Sequence, residues 1–278
     1  MFARRLLTIS LLFTAVSGYL YYFQHQRWCI WVLIVGVLLT MSTYIFQHQL
    51  NWWWYQRYPP GLPEEIQRMY TKASAFYRSL NPADKALFDL RARLFVESKE
   101  FIPQGFESVP EDVKYIVAFY AVLVTLKQKS YLFNDSQRVV IYPHPFLSPN
   151  FPDQIHTYEL ENEDGTIIFS LEQLAAGFLN PSKFYQTGLH AFGELYALEF
   201  LKSVTPGEPD AIWAELSRLS DWSHQRVEEI TGLAQPSPVP VMIYHWFSYH
   251  DRMQKDAPKM YQTVSHWMLP QAAISGNE

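Results

Sequence analysis

Two apolar runs near the start limit what this chain can become. Residues 6–23 (LLTISLLFTAVSGYLYYF) and 28–46 (WCIWVLIVGVLLTMSTYIF) carry no charged side chain. Each approaches the ~20 residues with which a helix crosses ~30 Å of hydrocarbon. Only residues 24–27 separate them, a connection short enough for a helical hairpin. Aromatics gather at the ends: Tyr19, Tyr21, Tyr22, Trp28 and Trp31, then Trp52, Trp53, Trp54 and Tyr55. Such rings favour the boundary between headgroups and acyl chains. Residues 1–57 therefore read as a transmembrane hairpin with the lipid bilayer as its partner. A cleaved signal peptide does not account for the first run, because its apolar part is too long and a second run follows at once. Arg4 and Arg5 precede the hairpin and Arg57 and Arg68 follow it, against Arg27 and His25 in the loop. The positive-inside bias places both ends, and the domain that follows, on the cytoplasmic side.

Residues 58–63 (YPPGLP) cannot be helical and read as a linker. Beyond it, apolar residues recur at three and four: Ile66, Met69, Tyr70, Ala73, Phe76, Tyr77 and Leu80 predict one helix over 64–80. Asn81-Pro82 opens the next. A turn is expected through Pro103, Gln104 and Gly105. Pro110 then opens a helix over 113–126 that is apolar on nearly every side, hence central and buried. Residues 138–143 and 166–170 read as strands, with Asp164-Gly165 as a turn before the second. Ser170 and Gln173 have capping-box spacing. Residues 220–231 read as polar helix or loop, 235–240 (QPSPVP) as a stiff linker, and 271–278 as a disordered tail.

Several function classes fall away. The net charge of −5, with no basic run beyond the N-terminus, argues against nucleic acid as a partner. Cys29 stands alone, so there is no internal disulfide. No P-loop, G-x-G-x-x-G or G-x-S-x-G sequence is present.

The chemistry-bearing stretch is 185–200, YQTGLHAFGELYALEF. In the H-E-x-x-H motif two His at i and i+4 grip zinc from one helical face, and the Glu after the first His is the general base. Here His190 keeps the first position, Ala191 stands at the base, and Glu194 stands at the second ligand. Zinc accepts imidazole nitrogen and carboxylate oxygen, so His190 and Glu194 remain a usable i, i+4 pair. Alanine cannot act as a base, and general-base help is worth ~10²–10⁴-fold.

The order of segments resembles the zinc-dependent peptidases related to Mlc titration factor A (MtfA). The matching pieces are Phe95-xxx-Lys99-x-Phe101, the helix after Pro110, Val140-Ile141-Tyr142-Pro143-xx-Phe146, Gly165-xxxx-Ser170, the helix bearing His190, and residues 241–270. The resemblance spans about 62–270 and implies a mainly α (α+β) fold: a zincin-like helical metallopeptidase domain over 64–270 with a small β-sheet. It also implies a third zinc ligand, a Glu on a later helix, which maps onto Tyr244; His245 and His250 are the alternative donors nearby. The expected metal set is thus His190, Glu194 and His245, and the expected cleft residues are Tyr244, His250 and Tyr196, with no catalytic residue at Ala191. No cofactor is expected, zinc being the ion the altered set could still take. The hairpin, the basic residues that flank it and the loss of the base at Ala191, taken with the resemblance, lead to the expectation of a bacterial inner-membrane protein whose domain binds a peptide or protein in its old cleft without cutting it. The alternative is an active peptidase with a rearranged site using His190, Glu194 and His245 or His250.

Overall fold

The structure, a computed structural model, describes residues 2–24, 27–148, 154–161, 163–202 and 207–268. His25 of the expected loop and the expected tail at 271–278 lie outside the described residues. The chain divides into two compact units, Met1–Pro60 and Gly61–Glu278.

The first unit holds α1 (Phe2–Gln24), α2 (Arg27–Ile45) and α3 (Gln47–Arg57). Phe2–Phe23 and Trp28–Ile45 are long and apolar enough to cross a membrane. Small side chains bring α1 and α2 together. A Cβ added to Gly36 would lie 2.8 Å from Thr14 Oγ1. The Thr14 and Thr40 hydroxyls meet at 3.2 Å across the pair. Each also donates to the carbonyl one turn back, Ser10 or Gly36, so neither depends on water. Large apolar side chains face outward instead, among them Leu12, Tyr22 and Trp31. The sequence reading missed α3, taking its tryptophans only as a belt. Asn51 of α3 accepts a hydrogen bond from Ala3 N at 2.8 Å, and Trp54 stacks on Phe2 at 4.3 Å.

The second unit is built on α7 (Glu111–Thr125), in which twelve of fifteen residues are buried. Pro110 precedes it, and Glu111 and Asp112 occupy its first turn, where the helix dipole favours acids. Around it pack α4 (Glu64–Ala73), α6 (Pro82–Ser98), α8 (Leu171–Leu179) and α9 (Thr187–Phe200). Each large side chain fully buried there contributes ~1.5–3 kcal/mol relative to exposure. A four-stranded sheet lies beside these helices in the order β1-β2-β6-β5. Its strands are β1 (Glu100–Pro103), β2 (Arg138–Tyr142), β6 (Thr166–Ser170) and β5 (Tyr158–Glu161). The pairs β1–β2 and β2–β6 are parallel, whereas β5–β6 is antiparallel with Glu161 opposite Thr166. Gly165 turns the last pair at φ +60°, where a Cβ would meet Asp135 O at 2.3 Å. The short strands β3 (Phe146–Leu147) and β4 (Ile155–His156) pair separately. The chain finishes with α10 (Pro209–Leu219), α11 (His224–Thr231), α12 (Pro238–Ser248), α13 (His250–Asp256) and α14 (Pro258–Met268).

Mainly helical with a small sheet, the architecture agrees with the expected class; several details do not. The helix expected over 64–80 breaks at Ser74, which is extended (φ −120°, ψ 121°) and caps α5 (Ala75–Ser79) by accepting from Tyr77 N. The apolar stripe runs on through the break because Tyr70 and Tyr77 both enter the core. The capping box at Ser170 does not form; the residue sits at the N-cap of α8 without a capping side-chain bond. The turn expected through Pro103, Gln104 and Gly105 begins one residue later, since Pro103 ends β1 and the chain bends at Gln104 and at Gly105 (φ +82°). In the expected linker, Pro238 and Pro240 occupy the first turn of α12, where a missing N–H costs nothing, and Ser237 caps it.

Candidate functional site

Helix α9 carries the altered motif between α12 on one side and β5 on another. Its first turn can sit on Tyr120 of α7 because residue 188 is glycine: a Cβ there would fall 2.3 Å from the tyrosine ring. His190 is fully buried. Its Nδ1 lies 2.6 Å from Tyr185 Oη, whereas Nε2 has no hydrogen-bond partner among the described residues. Burial pushes its pKa down to about 3, so the ring is neutral near pH 7. One turn on, the Glu194 carboxylate accepts a 2.7 Å hydrogen bond from Tyr158 Oη of β5. Burial raises the Glu194 pKa, and the tyrosine bond works against that rise. The Tyr158 ring also lies 5.4 Å from the His190 ring. His190 and Glu194 are therefore brought to one face beneath Tyr158. Ala191, at the position of the base, is fully buried and offers only a methyl group.

On the later helix both ring nitrogens of His245 are already engaged. His245 is buried, and its Nδ1 lies 2.7 Å from Val241 O, which can only accept. Nδ1 therefore carries the proton, and Nε2 accepts from Ser220 Oγ at 2.7 Å. Burial lowers the His245 pKa to about 4, against the opposing effect of the Val241 carbonyl. Tyr244, at the mapped position of the third ligand, stacks on Tyr185 at 4.6 Å. Tyr185 in turn packs edge-on against Trp222. Aromatic surface thus fills the space beside His190 on the α12 side. His250 is exposed, with its ring nitrogens 3.1 Å from Trp246 O and from Tyr261 Oη. Tyr196 lies six residues past His190, about 120° around the helix, and its hydroxyl donates to Trp267 O. Neither residue joins the His190 face.

Among the described residues no three His, Cys, Asp or Glu side chains stand together as metal ligands. The donor set fits zinc in part: His190 Nε2 and the Glu194 carboxylate share a face, but a third protein ligand is missing, since His245 has both nitrogens engaged and Tyr244 is packed as an aromatic. No chemical step through a metal follows from these residues. Lys99 of the family-like pattern has a structural task. Its Nζ donates to Phe133 O at 2.9 Å, holding a residue of positive φ (48°). Burial lowers its pKa to about 8, with the carboxylates of Glu199 and Asp135 acting the other way.

Sequence reasoning missed Tyr158, because β5 was not recognised, and assigned no role to Tyr185, although it stands five residues before His190. It also missed Gln186. This residue lines an open cleft of about 370 Å³ together with Leu189 of α9 and with Ser248 and Tyr249 at the end of α12.

Two comparisons bear on these features. A family model described as glucose-regulated metallo-peptidase M90 matches residues 50–236, most of the stretch that resembles the MtfA-related peptidases, ending before α12. An uncharacterized protein of a Synechocystis species is 22% identical over 147 residues, which are 52% of this chain and 50% of that protein. The match thus spans about half the length of that curated relative.

Proposed function

This chain belongs to the glucose-regulated metallo-peptidase M90 family, and from that premise we propose that it is a membrane-anchored pseudopeptidase. In this reading the N-terminal hairpin holds the zincin-like domain at the cytoplasmic face of a bacterial inner membrane. The domain binds a peptide segment or a protein partner and does not cleave it. One observation carries the proposal: the position of the general base is the buried methyl of Ala191. The same face has Glu194 tied to Tyr158, and the mapped third ligand is Tyr244, packed on Tyr185.

A competing reading, a rearranged metal site on His190 and Glu194, is favoured by the unpartnered Nε2 of His190. Elemental mass spectrometry of the full chain in lipid nanodiscs, with turnover of a fluorogenic peptide library in added zinc, separates the two. The pseudopeptidase reading expects no specific cleavage above a His190→Ala control. Stoichiometric zinc that is lost in Glu194→Ala, together with cleavage abolished by His190→Ala, would overturn it. The anchor has its own check: alkaline carbonate extraction leaves the full chain with the membrane pellet, and a chain with residues 1–57 removed goes to the supernatant.

A further inference from the structure

The cleft beside Gln186 lies where three helical pairs are interrupted: at Ser74 between α4 and α5, between α8 and α9, and at Tyr249 between α12 and α13. Its walls are rings: Phe76, Phe119, Phe178 and Phe247. Phe76 and Phe247 meet edge to face with centroids 5.3 Å apart. None of the residues lining it is charged or a histidine. A bound charge would therefore lose its water shell and gain no counter-charge, so the walls select a neutral group. The volume, about 370 Å³, lies at the small end of the ~300–1,000 Å³ typical of ligand pockets. It suits one large side chain better than a cofactor.

The polar edge is fixed in place. Gln186 Nε2 donates to Ser248 Oγ at 3.0 Å, and Gln186 Oε1 lies 3.4 Å from Tyr120 Oη. The Gln186 oxygen has two lone pairs, and Tyr120 approaches one of them. A carboxamide held this way, at the lip of an aromatic pocket, presents an acceptor to an amide N–H. Its position also joins the cleft to the altered motif, since Gln186 precedes α9 and is next to Tyr185.

We propose that this cleft is a recognition pocket for a neutral aromatic side chain, such as Phe, presented by the bound peptide, with the Gln186 carboxamide engaging that residue's backbone amide. The assignment rests on the peptide-binding reading above and adds its specificity. The rings supply edge-to-face partners for the incoming ring, and Gln186 separates a peptide residue from a free apolar molecule.

Saturation-transfer NMR on the full chain in nanodiscs tests this with three probes: N-acetyl-phenylalanine amide, N-acetyl-glutamate amide and toluene. Capped phenylalanine is expected to bind saturably and capped glutamate is not. Ser182→Trp, a change at an exposed position on the rim, should weaken capped phenylalanine at least about tenfold by filling the entrance. Gln186→Leu should weaken it about three- to tenfold, the value of one hydrogen bond, and leave toluene unaffected. Absence of saturable binding, or binding unchanged in both variants, would overturn the assignment. Equal affinity for toluene and capped phenylalanine would also overturn it, leaving a cavity for small apolar molecules. Peptides captured from a display library with no preference for an aromatic residue would sink this pocket while sparing the peptide-binding reading.

Discussion

His190 and His245 are both buried histidines whose pKa values fall in the folded state, to about 3 and about 4. The sign of the consequence follows from which state binds protons. Above pH 6.5 both rings are neutral folded or unfolded, and they add no pH dependence. Below 6.5 the unfolded chain takes up protons that the folded one refuses, so stability falls as pH drops toward 4. Each ring should cost about 2 kcal/mol between pH 8 and pH 5. Glu194, whose pKa is raised, runs the other way: its folded form holds a proton more readily, so acidification favours folding. The test compares thermal unfolding of the full chain with His190→Gln across this range. The stability gap between them should shift by about 2 kcal/mol against the wild type as pH falls from 8 to 5; a constant gap would mean that His190 does not resist protonation. At this scale the sequence was partly legible. The i, i+4 spacing of His190 and Glu194 put them on one face, as found. Spacing could not reveal that Tyr158, 36 residues away in sequence, bonds Glu194, or that Ser220 and Val241 engage both nitrogens of His245. Those pairings belong to tertiary packing, which leaves no local periodicity.

Helices here are held by local devices that can be removed singly. Asn81 caps α6 by accepting from Asp84 N at 2.8 Å. Asn81→Ala should lower stability by ~1 kcal/mol, a few degrees in melting temperature, leaving the fold unchanged. In the first unit the sensitive element is the seam between α1 and α2. Gly36→Ile would push Thr14 away, since even a Cβ reaches to 2.8 Å. Cys29, buried in that unit, reports on the seam. Maleimide should label it several-fold faster in Gly36→Ile than in the wild type; equal rates would show that the seam does not depend on close approach. Helices with strong apolar periodicity were legible from sequence, α7 above all. The break at Ser74 was not, because a cap formed by one hydroxyl leaves the apolar stripe intact. Strand β5 escaped for a related reason: four residues, YELE, are too few to establish an alternation, and the strand exists through its pairing with β6.

Across the whole molecule, an M90-type domain follows two helices long enough to cross a membrane, with the domain's first helix beginning at Glu64. The two parts therefore finish folding far apart in time. The hairpin is local: α1 and α2 are adjacent in sequence and pair as soon as both are made. The sheet is not. β1 waits for β2, which begins 38 residues after it (Glu100 opposite Arg138), and β2 waits for β6, 28 residues later again (Arg138 opposite Thr166). Parallel pairings at such separations must close long loops before they gain any bonds, which slows their formation. A ribosome will thus have released both apolar helices long before residue 170 makes the sheet possible. The domain completes its fold as a late event on a nascent chain whose leading end is already committed, and α7, made between β1 and β2, is the surface on which that waiting chain can first collapse.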